Sequence, residues 1–374
     1  MICKCPNCGG ALTYDLTKEQ MTCPYCGDMF QVADIAVKPQ ENSDVMTCDI
    51  YECTSCGAEI MVNDTEVSTF CAYCGQPTIV FSRVSKERKP DGIIPFMVTK
   101  NQAIEKIRDV FQKGYFVPEE IKNFEVDKIR GIYIPYRVYD IYHYDHQKLS
   151  AYVKKTKKQF IREAECDFKG IACDASTQLT DEATLRLEPY DMKDVKPFEV
   201  GYLSGFYADK YDVNEDVSKE TALKRAKDFF DEKITEGIYS DSIKVIESAP
   251  EQEIIKADYV LLPAWFMIFR YKEESYTILV NGQNGKTIGA VPVDKKKMWG
   301  RIAGITAVAW PICSFICAHY ARTGAMDSIM LALIILWAIS FIFGYTAIKA
   351  VSKNVKFTKD KQIELYARDR REEN

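Results

Sequence analysis

The sequence lacks the residue patterns on which most enzyme families depend. Only three of its 374 residues are histidines, and neither a Gly-x-Ser-x-Gly nor a His-Glu-x-x-His motif occurs. The run Gly285-Lys286-Thr287 resembles the end of a phosphate-binding loop. However, Val280 stands where such a loop requires its first glycine. We therefore predict that the protein is not an enzyme.

Basic side chains are also scarce near the N-terminus. The first 80 residues hold three lysines against eleven aspartates and glutamates, which gives a net charge of −8. Nucleic acids are bound mainly through lysine and arginine contacts to phosphate. The whole chain is acidic as well, with a formal net charge of −5. This charge argues against nucleic acid as the partner, and we expect an unknown protein partner instead.

Cysteine, in contrast, is abundant and regularly spaced. A doubled Cys-x-x-Cys-Gly pattern occurs twice, and in each copy fourteen residues separate the two pairs. Four thiolates at this spacing are typical of a closed tetrahedral zinc site, and the following glycine supplies the positive φ of a tight turn. We predict two structural zinc ions with the ligands Cys5, Cys8, Cys23, Cys26, Cys53, Cys56, Cys71 and Cys74. Cys3 and Cys48 are interpreted as bystanders, although Cys3 is near enough in sequence to replace Cys5.

Charged side chains are absent from two apolar segments near the C-terminus, residues 302–320 and 329–348. Each is close to the ~20 residues that a helix needs to span a bilayer. The sequence therefore predicts a two-helix transmembrane hairpin in contact with the lipid bilayer. Lysines flank both segments, which under the positive-inside rule places both termini in the cytosol. Reduced cysteines agree with that side, and the predicted location is that of an integral cell-membrane protein.

The middle of the chain shows an internal repeat. Helical periodicity follows Thr99 and again Ser218, at an offset of 119 residues. Both residues are predicted helix N-caps, and Thr99 forms a predicted capping box with Gln102. An aromatic strand follows each helix, with Pro135 and Pro263 near its centre; proline is expected at a strand start, bulge or edge. Each half is predicted as a helix plus antiparallel strands, and the fold class as multidomain α+β.

Six consecutive units follow from these patterns. They are zinc ribbon 1 (residues 1–36), zinc ribbon 2 (48–82), a first α+β repeat with an irregular insert (91–200), a second α+β repeat (201–297), the transmembrane hairpin (298–349) and a basic cytosolic tail (350–374). Two Asn-Gly pairs within residues 281–285 predict a β-hairpin in the second repeat. The course of residues 145–200 is left open.

His143 and His146 have the spacing of a second kind of metal site. A His-x-x-His pair beside Asp140 or Asp145 could bind a metal, but residues three apart on a strand face opposite sides. We interpret both histidines as surface residues of an aromatic strand.

The order of these features resembles a group of bacterial membrane proteins called TFIIB-type zinc-ribbon-containing proteins, some of which are labelled PriA-like or primosomal. The resemblance rests on the Cys-x-x-Cys-Gly pairs, on the motifs at 94–96, 133–136 and 202–207, and on the run 281–286 before two apolar segments. It covers most of the chain and implies the same architecture. A helicase activity does not follow, because the chain lacks a Walker A motif.

The predicted function is that of a membrane-anchored cytosolic adaptor or scaffold, in which the ribbons and the tyrosine-rich strands bind protein. Two alternatives stay open at this point. One is a membrane-tethered nucleic-acid-binding regulator with TFIIB-like or PriA-like ribbons. The other is an enzyme with a pocket between the two α+β repeats.

Overall fold

Two separate β-sheets contain all the strands of the described chain. The computed structural model describes residues 3–35, 44–62, 71, 73, 76, 79–113, 117–122, 129–153, 156–179, 181–240, 242–271, 274–289, 292, 294, 296–297, 300, 304, 311 and 314. The first sheet is small and antiparallel, with the order β1-β2-β3. Its strands are β1 (Thr13–Asp15), β2 (Gln20–Thr22) and β3 (Met29–Phe30).

The second sheet has twelve strands. They are β4 (Val45–Cys53), β5 (Glu59–Val62), β6 (Ile79–Arg88), β7 (Gly92–Ile93), β8 (Ile129–Val153), β9 (Thr156–Asp174), β10 (Lys196–Pro197), β11 (Tyr207–Asp209), β12 (Ile243–Ser248), β13 (Glu251–Tyr271), β14 (Glu274–Asn281) and β15 (Thr287–Gly289). One path through the sheet has the order β10-β7-β13-β8-β11-β5-β4-β6, and the other four strands attach beside it. The strands of the second ribbon therefore belong to the same sheet as those of the repeats. The predicted domain boundaries stay predictions.

β8 is the central strand, and its neighbours change along its length. On one edge it pairs antiparallel with β13 over residues 129–144 and then with β12 over residues 147–151. On the other edge it pairs in parallel with β11 at residues 132–133 and then antiparallel with β9 over residues 136–153. The strands of the two predicted repeats thus pair directly with each other in one sheet.

The prediction of an α+β fold is wrong, because strands hold more than twice as many of the described residues as the α-helices do. The helices are α1 (Lys100–Lys113), α2 (Glu119–Lys122), α3 (Asp181–Leu187) and α4 (Glu215–Ile234). The predicted aromatic strands exist, but they are the apolar parts of the much longer β8 and β13. Beyond the apolar runs, β8 and β13 continue as strands whose residues alternate between more and less exposed positions. This period-two pattern is the one expected of a strand, so the pairing continues far beyond the apolar runs.

The two repeated helices are present, but only one begins where it was predicted to begin. The backbone N–H of Thr99 donates to Gln102 Oε1 at 2.8 Å, and the N–H of Gln102 donates to Thr99 Oγ1 at 3.3 Å, so the capping box is confirmed. α4 begins one turn before Ser218, because Asn214 is its N-cap and accepts the N–H of Asp216 at 2.8 Å. Ser218 is instead a buried residue of the first turns, whose Oγ accepts the hydroxyl of Tyr139 at 3.1 Å.

Both strand prolines lie inside long strands, at gaps in the hydrogen-bond ladder. The carbonyl oxygen of Pro135 accepts the N–H of Ala175 at 3.0 Å, on the edge where β11 gives way to β9. The carbonyl oxygen of Pro263 accepts the N–H of Gly282 at 2.8 Å, just beyond the end of the β13–β14 pairing. The nitrogen of a strand residue faces the same edge of the strand as its carbonyl. Each proline nitrogen, which has no N–H to donate, therefore faces an edge where the regular strand pairing is interrupted. The prediction that each proline lies at a strand start, bulge or edge is wrong, but its reason, that proline cannot donate a ladder hydrogen bond, still explains where the two prolines lie.

The prediction of a C-terminal transmembrane hairpin is not upheld. Within the part of the chain that the structure describes, no helix is both long and apolar enough to cross a membrane. The longest of these helices, α4, has 20 residues, but lysines, aspartates and glutamates recur along it, and charged side chains are costly inside a bilayer. Residues 302–320 and 329–348 lie outside the described residues apart from Gly304, Pro311 and Ser314. The integral membrane location drawn from the hairpin is withdrawn with it, while the lipid partner stays an untested prediction.

Candidate metal centres

The first cysteine cluster joins the two turns of the N-terminal ribbon. The Sγ atoms of Cys5, Cys8, Cys23 and Cys26 all lie within 4.8 Å of one another. Cys5 Sγ is 3.6 Å from Cys26 Sγ, and Cys8 Sγ is 3.4 Å from Cys23 Sγ. Both distances are far longer than the S–S bond of a disulfide, about 2.0 Å. The cluster could hold a metal ion.

The same backbone geometry builds each cysteine turn for which it is described in full. The N–H of Cys5 donates to the carbonyl oxygen of Gly10 at 2.7 Å, and the N–H of Gly9 donates to that of Cys5 at 2.9 Å. Equivalent pairs of bonds form in the turns that begin at Cys23 and Cys53. The φ angles of Gly9, Gly27 and Gly57 are 76°, 80° and 73°, where a Cβ would be strained. The predicted role of these glycines is confirmed; Gly75 lies outside the described residues.

Backbone N–H groups favour negative charge on sulfurs of the first cluster, and at Cys23 they lower the pKa, whereas at Cys8 and Cys26 hydrogen bonds with neighbouring side chains raise the pKa. Hydrogen bonds from the N–H groups of Cys26 and Tyr25 lower the pKa of the Cys23 thiol to about 7. Asp28 accepts hydrogen bonds from Asn7 Nδ2 at 2.8 Å and from Cys26 Sγ at 3.2 Å, which ties the two turns together. A lowered thiol pKa favours the thiolate, which is the form that binds a metal.

The second cluster consists of Cys53 at the end of β4, Cys56 and Cys71. Their Sγ atoms lie within 4.8 Å of one another, and Cys56 Sγ is 3.7 Å from Cys71 Sγ. The backbone N–H of Tyr73 donates to Cys71 Sγ at 3.4 Å. Cys74, the predicted fourth ligand, lies outside the described residues. These three cysteines could also hold a metal ion.

The two clusters differ in their exposure to solvent. Cys8 and Cys26 of the first cluster are exposed, whereas the three described cysteines of the second are all buried. The second cluster packs in one apolar core with Ile134 of β8 and Leu262 of β13. Next to it, Tyr73 meets Phe266 edge-on, with 5.4 Å between the ring centroids. The second cluster is therefore part of the main core, while the first is at the surface.

Cys3 and Cys48 lie outside both clusters. Burial raises the pKa of the Cys3 thiol, and the carbonyl oxygen of Cys3 accepts the N–H of Leu12 at 2.9 Å. Burial likewise raises the pKa of Cys48 to about 11. Both cysteines pack in apolar clusters, and the geometry favours Cys5 over Cys3 as a ligand.

The segment around residues 202–207 holds the first ribbon on the large sheet. Tyr14 of β1 packs edge-on against Tyr202, with ring centroids 5.2 Å apart, and its N–H donates to the carbonyl oxygen of Ser204 at 3.2 Å. Phe206 packs against the apolar cluster of the ribbon and also stacks, at 4.3 Å, on Phe96, which lies in a different apolar core of the large sheet from the second cysteine cluster. This motif therefore connects the first ribbon to the core of the large sheet.

The two histidines of β8 face opposite sides of the sheet, as their spacing predicts. His146 is exposed, but the interpretation of His143 as a surface residue is wrong, because it is fully buried beneath α4. Its ring lies 4.3 Å from that of Phe230. Burial lowers the pKa of His143, and among the described residues no metal cluster includes either histidine.

Two charged residues that the sequence analysis did not single out are buried in the structure. Burial raises the pKa of Asp209 to about 7, although Ser176 Oγ and the N–H of Lys210 donate to its carboxylate. Arg137 of β8 is also buried, and its Nη2 lies 2.9 Å from Glu215 Oε1. The sequence did contain a signal for both residues, because each is a charged residue that lies within or directly after an apolar run of a strand.

Comparison with known proteins places the chain in a family. It is 32% identical over 327 residues to a protein of Bacillus subtilis (strain 168) with the name "Uncharacterized protein YdjG", and the match covers 81% of this chain and 93% of YdjG. The chain therefore belongs to the family of YdjG. No family model matches the chain, and no solved structure matches it.

Proposed function

We propose that the protein is a non-enzymatic adaptor in which two structural zinc ions brace a protein-binding sheet. Zinc with four thiolates has Zn–S bonds of about 2.3 Å, which in a tetrahedron separates the sulfurs by about 3.8 Å. The measured separations of 3.4, 3.6 and 3.7 Å are close to this value. The residues therefore fit zinc, and Cys74 would complete the second site.

A structural role for the metals follows from the ligand set. Four thiolates fill the coordination shell of zinc and leave no position for a substrate or a reactive water. The second cluster also lies in the apolar core of the large sheet, where metal binding contributes directly to folding. Zinc in this place would hold the turn at Cys53 and the loop at Cys71 against β8 and β13.

The observation that carries the adaptor proposal is an uncovered face of the large sheet, here called the outer face. Just beyond Val138, the odd-numbered residues 139–143 of β8 pack against α4, while the even-numbered residues 140–148 face the other way and are half-buried or exposed. The outer face contains Tyr142 and Tyr144 of β8, Glu163, Glu165 and Asp167 of β9, and Glu251 and Glu253 of β13. In this part of the outer face, two tyrosines lie between two rows of carboxylates.

The tyrosines of the outer face are fixed in place by the neighbouring glutamates. Tyr142 donates its hydroxyl to Glu165 Oε2 at 3.0 Å, and Tyr144 donates to Glu163 Oε1 at 2.8 Å. These hydrogen bonds raise the pKa of both tyrosines, so the hydroxyls stay protonated and the rings stay in position. Fixed aromatic rings are effective interface anchors because little side-chain entropy is lost on binding.

The charge of the outer face defines the partner as a protein with an exposed segment rich in lysine and arginine. Its carboxylates would form ion pairs with the basic side chains, and the faces of Tyr142 and Tyr144 would attract them by cation–π interactions. The same carboxylates would repel the phosphates of a nucleic acid. The adaptor proposal is therefore favoured over nucleic-acid binding.

The test is a titration of the full zinc-loaded chain with a fluorescent peptide of alternating lysine and serine, followed by fluorescence anisotropy at two salt concentrations. We expect saturable binding that weakens with salt and that falls on the order of tenfold in the double variant Glu163→Gln/Glu165→Gln, because two ion pairs at one site are lost.

A matched control removes the same charge elsewhere. Asp228→Asn/Glu232→Gln changes two exposed carboxylates on α4, which covers the opposite face of the sheet. An equal loss of binding in both double variants would show a general charge effect and reject the outer face. Tighter binding of a single-stranded oligonucleotide than of the peptide would reject the adaptor proposal and support a nucleic-acid-binding protein.

A further inference from the structure

Arg137 is a buried cation at the place where β8 meets the beginning of α4. Only 2% of its surface is exposed, and its neighbours across the sheet are Tyr259 on β13 and Cys173 on β9. A guanidinium keeps its charge in a protein interior and carries five N–H donors. Such a group is costly to bury unless its donors are satisfied.

The donors of Arg137 are only partly satisfied. Its Nη2 lies 2.9 Å from Glu215 Oε1, but its Nε and Nη1 have no hydrogen-bond partner among the described residues. Guanidinium groups bind an oxyanion in a bidentate manner through Nη2 together with either Nε or Nη1. Nε and Nη1 are both buried, and a group that replaces Glu215 on Nη2 would have to reach one of them to bind in a bidentate manner.

Glu215 is held at this position from the solvent side. It is the first residue of α4, 45% of its side chain is exposed, and Lys219 Nζ contacts the same Oε1 atom at 3.1 Å. The hydrogen bond from Lys219, and then the charges of Arg137 and Arg88, lower the pKa of Glu215. A half-exposed carboxylate of this kind can exchange with a carboxylate from solution at a modest cost.

The surroundings of Arg137 are those of an anion site. The positive end of the α4 dipole lies at Glu215, within the first turn of a 20-residue helix. The guanidinium carbon of Arg137 is 6.0 Å from the ring centroid of Tyr139. Tyr211 is close enough to Arg137, Glu215 and Arg88 for their charges to act on its hydroxyl. The charge of Arg88 would further favour a bound anion, whereas the hydroxyl of Tyr139 is already donated to Ser218 Oγ.

We propose that Arg137 and the first turn of α4 form a binding site for a small molecule with a carboxylate group, and that Glu215 occupies the guanidinium until this ligand replaces it. The carboxylate of Glu215 shows that such a group fits against Nη2. A free carboxylate gains a second hydrogen bond, to Nε or Nη1, that Glu215 does not make. This site is separate from the outer face and from both cysteine clusters.

The test is the thermal unfolding of the full zinc-loaded chain in increasing concentrations of sodium acetate or sodium succinate, at constant ionic strength set with sodium chloride. A ligand that binds only the folded state raises Tm with saturation. We expect saturable stabilisation by the carboxylates, with half-saturation at a concentration on the order of tenfold lower in Glu215→Gln, because the internal competitor is removed. Arg137→Lys, which cannot bind in a bidentate manner, should abolish the effect.

Glu220→Gln is the matched control, because it removes the same charge from an exposed position farther along α4. The proposal is overturned if Glu215→Gln binds the carboxylates no more tightly than the unmodified chain, or if Glu220→Gln improves binding equally. A stronger effect of sodium phosphate than of the carboxylates would overturn the ligand class. If Arg137→Lys does not fold, the comparison of Glu215→Gln with Glu220→Gln still decides.

Discussion

Asp209 provides a quantitative test of how burial controls the stability of the large sheet. Burial raises its pKa from an ordinary value of 3.8 to about 7. The folded state therefore holds this proton more tightly than the unfolded state, and the stabilisation is lost as the pH rises from about 4 to about 7. Each pKa unit corresponds to about 1.4 kcal/mol, so the free energy of unfolding should fall by about 3 kcal/mol between pH 5 and pH 8 through this group.

The perturbation is Asp209→Asn, which keeps two hydrogen-bonding groups in a similar shape but cannot ionise. We expect urea unfolding to show that the unmodified chain loses about 3 kcal/mol more than the variant between pH 5 and pH 8. Asp228→Asn, at an exposed position of α4, should behave like the unmodified chain. Equal losses in Asp209→Asn and the unmodified chain would refute the reasoning, since Asp209 would then ionise as freely when folded as when unfolded.

Two further predictions concern the ribbons. Cys8→Ser should reduce the zinc content to about one ion per chain with a small change in Tm, whereas Cys56→Ser should lower Tm strongly or prevent folding, because only the second cluster lies in an apolar core of the large sheet. Zinc analysis together with calorimetry measures both effects. Equal changes in Tm in the two variants would contradict the predicted difference. Phe206→Ala should cost about 3 kcal/mol, because it removes the stacking on Phe96 and leaves a cavity. Urea unfolding measures this cost in the free energy of unfolding. Limited proteolysis should show faster cleavage of the first ribbon in the variant. Unchanged cleavage would mean that the contact between Tyr14 and Tyr202 is enough to hold the ribbon on the large sheet.

The features that the sequence predicted correctly depend on short stretches of chain. The capping box at Thr99 and Gln102 needs residues three positions apart. The hairpin turn is similar: the N–H of Asn281 donates to the carbonyl oxygen of Lys286 at 2.8 Å, and Asn281 Oδ1 accepts the N–H of Gln283 at 2.9 Å. Such contacts are encoded where they occur, so a reading of the sequence finds them.

The errors concern features that depend on distant residues. Ser218 is a good capping residue by type, but Asn214 caps the helix, and Ser218 bonds to Tyr139 of β8 instead. Two repeats with alternating helices and strands suggested separate α+β units, whereas β8 and β13 pair with each other. Apolar length suggested membrane spans, yet no helix within the described residues meets that requirement.

The sequence by itself predicted which of the described cysteines come together in the two clusters, because two Cys-x-x-Cys turns with a glycine after each leave little freedom in the local backbone. Only the tertiary structure decided that one cluster is half exposed and the other lies in an apolar core, since the burial of the second depends on the pairing of β5 with β11 and of β11 with β8. The packing of α4 on one face of β8 and β9 leaves the tyrosines on the opposite face uncovered and brings Glu215 beside the buried Arg137. Burial and charge are properties of residues brought together from distant parts of the chain, so local sequence patterns do not encode them.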